Sequence, residues 1–336
     1  MGSTELVDVA GMTLSVSSPG KVYFPEHGYT KLDLVRYYLA VEEPVMRQMR
    51  NRPVMLQRFP DGVGGTSFFQ KRIPKGAPEW LTTMEVRTVN GTASNVLVIA
   101  DLAHLVWAVN LGCIGFHSWP IRSTAPQWCD ELRIDLDPGP GTTFAMAQEA
   151  AVETKRLLDD AGVTGYVKTS GSRGLHVYVR LQQGYDSMTV RRAAVAVARE
   201  LERRRPDLLT AQWWKEQRGA RIFVDYNQNA PHKTVFAPWS ERALPHATVS
   251  FPFPWEHLGI IHPLDLTIAT VPEWVQRHGD AWATIDDHPQ RLDAFLDLAA
   301  ADEAAGLPDA PWPPEYPKMA GEATRVAPSR AKRSDD

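Results

Sequence analysis

Residues 131–227 predict a mixed α/β fold of the α+β kind, a split β-α-β sheet with helices against one face. Three observations carry this. The stretch ELRIDLDPGPG (131–141) alternates Leu132, Ile134 and Leu136 with Arg133, Asp135 and Asp137 before Pro138 and Gly139 stop the run. A period of two marks a strand with one buried face. Directly after it, TFAMAQEAAVETKRLLDDAG (143–162) reads as a helix capped by Thr142 or Thr143 and closed by Gly162. YVKTSGSRGLHVYV (166–179) then reads as two strands around a glycine turn, followed by a helix near 188–204 and a strand in RIFVDYN (221–227). The order β-α-β-β-α-β is that of a split β-α-β sheet.

Upstream, TKLDLVRYYLAVEEPVMRQM (30–49) predicts a helix with Thr30 as N-cap, bent or divided at Pro44. Strands are expected around PVMLQRF (53–59) and NVLVIA (95–100). These elements suggest one domain over 1–300 with an N-terminal lobe (about 10–125) and a second lobe (about 126–300). Prolines crowd the text from 306, and 301–336 reads as a Pro-rich segment ending in a mobile tail.

The chain has 336 residues, 43% of them hydrophobic, enough for a substantial core. No apolar run reaches membrane-spanning length, and the N-terminus lacks the pattern of a secretory signal. No membrane partner is therefore expected. Two cysteines, Cys113 and Cys129, point to a reduced, cytoplasmic protein whose thiols are buried rather than zinc-bound with His117. The net charge of −4 lacks the global signature of a nucleic-acid binder, although a local basic pocket remains compatible with it.

Asp135 and Asp137 have three readings: a strand end entering a turn, a pair binding Arg or a helix N-terminus, or a site for Mg²⁺ or Mn²⁺. Asp225 also ends a strand, in ARIFVDYNQN, opposite Ile222 and Val224. Three such carboxylates permit a two-metal arrangement. In KTSGSRGLHVYV, Gly171 and Gly174 allow a tight turn with exposed N–H groups, to which Ser170, Ser172 and Arg173 add donors. The turn is either an ordinary hairpin or a cradle for a triphosphate. It is not a Walker loop.

DLDPGPG, SGSRGLHVYV and VDYNQN, in this order, resemble the polymerase domain of bacterial DNA ligase D, a branch of the archaeo-eukaryotic primase superfamily. The similarity extends from SPGKVYFPEHGYTK (18–31) through KTVFAPWSERALP (233–245). It implies a primase-like fold with an RRM-like catalytic sheet and an N-terminal lobe. It also implies that Asp135, Asp137 and Asp225 hold the metals, and that Ser170, Arg173, His117, Arg218, Gln228 and Arg242 surround a nucleoside triphosphate. Relatives often carry Lys where this chain has Arg173, and a guanidinium binds phosphate with a different geometry.

Lys21 and Lys31 flank a helix start, where cations are unfavourable unless an anion is bound. Relatives use such a pair to grip the 5′-phosphate of a downstream DNA strand. Phe68 and Phe69, in TSFFQKR, are consecutive, so one ring is expected inside and the other free to stack on template bases. The resemblance implies manganese-dependent addition of ribo- or deoxynucleotides to DNA 3′ ends and short gaps in end joining, in a bacterial nucleoid. A DNA ligase and a Ku-type end-binding protein are the implied partners. No KxDG adenylation motif is present, so nick sealing is not expected of this chain. Two other classes remain open: a nuclease or other nucleotidyltransferase using the same aspartates, and a non-catalytic module bridging DNA ends.

Overall fold

The chain begins with an antiparallel hairpin, β1 (Thr4–Val9) and β2 (Met12–Ser17), and a smaller pair, β3 (Val22–Phe24) and β4 (Tyr29–Thr30). In the computed structural model, which describes residues 3–87 and 93–312, helix α1 (Lys31–Ala40) starts on a capping box. The Thr30 hydroxyl accepts the Asp33 N–H, and the Asp33 carboxylate accepts the Thr30 N–H. The expected 30–49 helix is divided, but at Val41 rather than at the proline, and resumes as α2 (Glu42–Met49). Pro44 lies in the first turn of α2, where its missing N–H forfeits no intrahelical bond.

Strands β5 (Arg52–Arg58), β6 (Phe68–Gln70), β7 (Thr83–Arg87) and β8 (Ala93–Ile99), helix α3 (Leu102–Asn110) and strand β9 (Cys113–Ser118) build the first lobe. Strand β5 is its axis. It pairs with β9 along one side, and with β8 and then β6 along the other.

The second sheet comes from β10 (Glu131–Pro138), α4 (Phe144–Asp160), β11 (Tyr166–Thr169), β12 (Leu175–Arg180), α5 (Ser187–Arg204), β13 (Leu209–Thr210), α6 (Lys215–Arg218) and β14 (Ile222–Val224). Its strand order is β11-β12-β10-β14-β13, antiparallel except for the short β13–β14 pair. Without β13, this is the expected split β-α-β sheet. Leu132, Ile134 and Leu136 are fully or almost fully buried in one core with the apolar sides of α4 and α5. Each such side chain contributes about 1.5–3 kcal/mol. Afterwards β15 (Val235–Phe236) crosses back to pair with β9, and α7 (Thr270–His278) and α8 (Asp293–Ala304) follow.

The other face of β10 is not a solvent face. Glu131 and Arg133 are each 1% exposed. Arg52 of β5 donates to both Asp130 oxygens at 2.7 and 2.8 Å and to Glu131 at 2.5 Å. Arg133 and Arg180 bind the same Glu131 carboxylate. The two sheets thus meet at a buried ionic seam.

The chain past α8 is packed as far as it is described. Arg191 of α5 donates to Asp309 at 2.9 Å and to the Ala310 carbonyl at 2.5 Å, and Asn227 donates to the Pro311 carbonyl at 2.9 Å. Residues 301–312, the start of the expected Pro-rich segment, therefore form the end of a helix and a packed strap. The rest of that segment, 313–336, with the expected mobile tail, lies outside the described residues. No described helix is long and apolar enough to cross a membrane.

Candidate active site

The alternation of β10 puts Asp135 and Asp137 on the face opposite the aliphatic core. The register brings the third carboxylate beside them: Leu136 pairs with Val224, and the Asp225 N–H donates to the Asp135 carbonyl at 2.8 Å. Asp225 stands one residue past the strand, where its carboxylate accepts the Asn227 N–H at 3.0 Å and the Gln228 amide at 2.7 Å. Asp135 has a 17% exposed side chain, while Asp137 is at the open rim.

Burial pushes the Asp135 carboxyl well above its ordinary value, and the charges of Asp225 and Asp137 push it further. Desolvation also raises Asp137, against the pull of Arg218, Arg173 and Lys215, and raises Asp225 against its bond from Gln228. A buried carboxylate, Asp135, that bears the charges of Asp225 and Asp137 suits a hard divalent cation such as Mg²⁺ or Mn²⁺.

The glycine turn faces them. Gly171 has φ +73°, and a Cβ there would meet Arg242 Cγ at 2.5 Å; a Cβ on Gly174 would meet the Leu136 carbonyl at 2.7 Å. Gly174 is thus required by the close approach to β10, and Gly171 by its positive φ and the close approach of Arg242 and the Val249–Ser250 backbone. The turn differs from the expected cradle in one respect. The Ser172 and Gly174 N–H groups donate inward to the Ser170 hydroxyl, at 3.2 and 3.1 Å, because closing so tight a turn needs an internal acceptor. Arg173 is exposed and makes no hydrogen bond among the described residues.

Asp135, Asp137, Ser170, Ser172, Arg173, His117, Gln228 and Arg242 line one cleft of about 280 Å³. His117 of β9 is edge-on to Phe236 at 4.9 Å and to Phe69 at 5.3 Å. Burial, helped by Arg242, lowers its pKa to about 4, so the ring is neutral at pH 7. Arg242 lies over Phe236 at 4.3 Å. Arg218 stands outside the cleft lining, stacked on Phe223 at 3.6 Å and donating to the Gln212 and Trp213 carbonyls.

Neither phenylalanine is inside: Phe68 is 45% and Phe69 57% exposed. Strand β6 is a short edge, so both of its faces are open. Phe68 lies against the Arg58 guanidinium at 5.1 Å, and Phe69 borders the cleft through His117.

The two lysines differ: Lys21 is exposed and ion-paired, while Lys31 is buried. Lys21 is bound to Asp61 at 2.8 Å. Lys31 is 5% exposed and donates to the Ser17 carbonyl at 2.6 Å and the Asn110 carbonyl at 3.0 Å. Asn110 ends α3, so a cation unfavourable at the start of α1 is favourable at the end of its neighbour. Structural packing therefore explains the position of Lys31 without an anion. Its charge meets only neutral acceptors, however, and burial together with Lys21 lowers its pKa.

Two residues at the site carried no role in the sequence reading. His176 Nε2 is 3.4 Å from Asp135 Oδ1, and the fully buried Lys168, next in register, donates to the Ser250 hydroxyl at 2.5 Å. Their signal was available: both occupy the polar positions of alternating strands. Cys113 and Cys129 are free and buried.

A family model described as the LigD primase-polymerase domain matches residues 30–282. The chain belongs to this family. Primase-polymerases are nucleotidyltransferases, and this chain is one by membership. It is 31% identical over 305 residues to the multifunctional non-homologous end joining protein LigD of Mycolicibacterium smegmatis, covering 90% of this chain and 40% of that protein. It is 30% identical over 279 residues to the bifunctional LigD of Bacillus subtilis, covering 82% and 45% respectively. The chain thus spans less than half the length of these curated LigD relatives. The solved polymerase domain of Mycobacterium tuberculosis ligase D, in complex with DNA, superposes with a TM-score of 0.78 at 31% identity, covering 82% of this chain and 99% of that one.

Proposed function

We propose that this LigD-family domain adds ribo- or deoxynucleotides to DNA 3′ ends and fills short gaps at broken ends, using Mn²⁺ or Mg²⁺ held by Asp135, Asp137 and Asp225. The observation that carries this reading is a cleft that holds acids and bases together. Asp135 and Asp137, with their raised pKa values, line it alongside Arg173, Arg242 and Ser172, and the charge of Asp225 acts on Asp135 from outside the lining. Carboxylates would repel a triphosphate, whereas this cleft suits a triphosphate that arrives with cations.

The bound ions would supply activation of the 3′-hydroxyl and stabilisation of the leaving pyrophosphate. The chain's own residues do the rest. Arg173 and Arg242 bind phosphate oxygens by charge-assisted hydrogen bonds. Gln228 fixes the Asp225 carboxylate, and His117, being neutral, adds an aromatic edge without a competing charge. Phe69 continues that surface toward the template. A DNA-bound relative and relatives named for end joining support the nucleic-acid substrate. The proposed setting is a bacterial nucleoid, alongside a DNA ligase and a Ku-type end-binding protein.

The deciding experiment is primer extension on gapped DNA with ribo- and deoxynucleotides compared. Release of pyrophosphate with primer growth supports the proposal. DNA binding without extension would favour an end-bridging module, and strand cleavage a nuclease.

Arg173→Ala is expected to raise the apparent KM for nucleotides about tenfold or more, the usual scale for a charged hydrogen bond, with kcat changed less. Arg173→Lys should recover much of this. Steady-state kinetics with both variants matching wild type would reduce the glycine turn to a hairpin.

For the downstream 5′-phosphate, Lys21 is the clean probe, because Lys31 also holds β2 to α3. Wild type should bind phosphorylated gapped DNA more tightly than its dephosphorylated form, and Lys21→Ala should bind both alike. Equilibrium binding of the four combinations gives the coupling energy. A value near zero would leave Lys21 as only the partner of Asp61.

A further inference from the structure

Away from the aspartate cleft, the β3–β4 turn meets the loop that follows Arg242. His246 Nδ1 lies 3.4 Å from His27 Nε2 and 3.3 Å from Glu26 Oε1. One ligand atom from each residue falls within 4.8 Å of the others. We propose that Glu26, His27 and His246 bind one divalent transition-metal ion of the zinc class, at a site separate from that for the polymerase metals.

Spacing is the first argument. Metal–nitrogen bonds of about 2.0–2.1 Å in a tetrahedron set neighbouring ligand atoms about 3.3 Å apart. Both measured separations agree with that edge. Proton arithmetic is the second. His246 Nδ1 faces a carboxylate and another imidazole nitrogen at once. As an N–H it donates to only one of them; as a lone pair it accepts from His27 but then faces a carboxylate lone pair. A cation serves all three lone pairs together.

Ligand chemistry separates the two sites. Two imidazoles and a carboxylate suit zinc, nickel or cobalt, whereas the all-oxygen aspartate cleft suits magnesium or manganese. The His27 ring is already oriented by stacking on Tyr29 at 5.5 Å and 23°. Three protein ligands leave a fourth position for water. The ion would tie together residues 219 positions apart in sequence, and His246 also borders a pocket shared with Gly171, Ser172 and Arg173. Its role would be to stiffen the loop flanking the glycine turn.

The test uses the full chain, stripped of metal by chelation and held in excess Mg²⁺ to fill the oxygen cleft. Zn²⁺ titration by calorimetry is expected to show one saturable site per chain. His27→Ala and His246→Ala should each weaken it about tenfold or more, while Asp135→Asn leaves it in place. Zn²⁺ should also raise the Tm of wild type but not of His27→Ala. Glu26, His27 and His246 are at least partly exposed, so the variants keep their fold; matching Tm values without zinc verify this, and His27→Gln is the reserve. The proposal is overturned if wild type binds no Zn²⁺, or if the histidine variants bind it as tightly as wild type. Loss of the site in Asp135→Asn alone would also overturn it.

Discussion

Asp137→Ala is expected to lower single-turnover nucleotide addition by about a thousandfold or more, while melting temperature and DNA affinity stay near wild type. A group that acts on the reacting centre through a bound cation affects the transition state far more than the ground state. Asp137 stands at the open rim, and its side chain makes no hydrogen bond among the described residues, so truncating it leaves the β10–β14 ladder in place. It should even ease the protein slightly, since the Asp137 charge is one cause of the raised Asp135 pKa. The sign follows: a carboxyl raised in the folded state costs stability as pH rises from its ordinary value up to its raised one. Adding Mn²⁺ at pH 7 should therefore raise the Tm of wild type, and less so that of Asp137→Ala. Primer extension near the wild-type rate in this variant would remove the metal assignment.

Arg52→Met is expected to cost about 3–5 kcal/mol in equilibrium unfolding, the scale on which a buried ion pair loses one partner. Arg52 is 1% exposed, and its removal strips Asp130 and Glu131 of their link to the first sheet. Burial alone would raise both carboxyls. Arg52 and Arg180, joined by Arg122 at Asp130 and Arg133 at Glu131, overcome it and hold both below their ordinary values. Depressed carboxyls add stability that is complete above their ordinary pKa values of 3.8 and 4.5 and is lost as pH falls further. The gap between wild type and Arg52→Met should thus be widest near pH 7 and narrow in acid. Urea unfolding with a loss under about 1 kcal/mol would mean that the seam is not a principal tie between the sheets.

The catalytic sheet was legible because β10 obeys one rule along its length: aliphatics at even positions and polar groups at odd ones. That alternation put Asp135 and Asp137 together on the face opposite the aliphatics, while a metal-binding role for them was implied only by the family resemblance. It could not reveal that the polar face is shut at one end and open at the other. Arg133 and Asp135 look alike in sequence, yet Arg133 meets Ser118 of β9 in the first sheet and Asp135 meets a cleft. Lys31 shows the same limit: its helix was read correctly, but the end of α3 that receives its ammonium lies 79 residues away. The Phe68–Phe69 alternation failed for the opposite reason. A short edge strand has no buried side, so period two carries no information about burial there.

The strap over α5 bears on where this catalytic body can be severed. A chain ended at the close of α8 would keep every strand and helix named above. Yet the guanidinium of Arg191, 1% exposed, would lose Asp309 and the Ala310 carbonyl, and Asn227 and Tyr226 would lose the Pro311 carbonyl. Those last two residues follow Asp225 directly. Eight residues without regular structure, 305 to 312, thus act as a keystone for the peptide that presents the third carboxylate, and the workable cut falls beyond them.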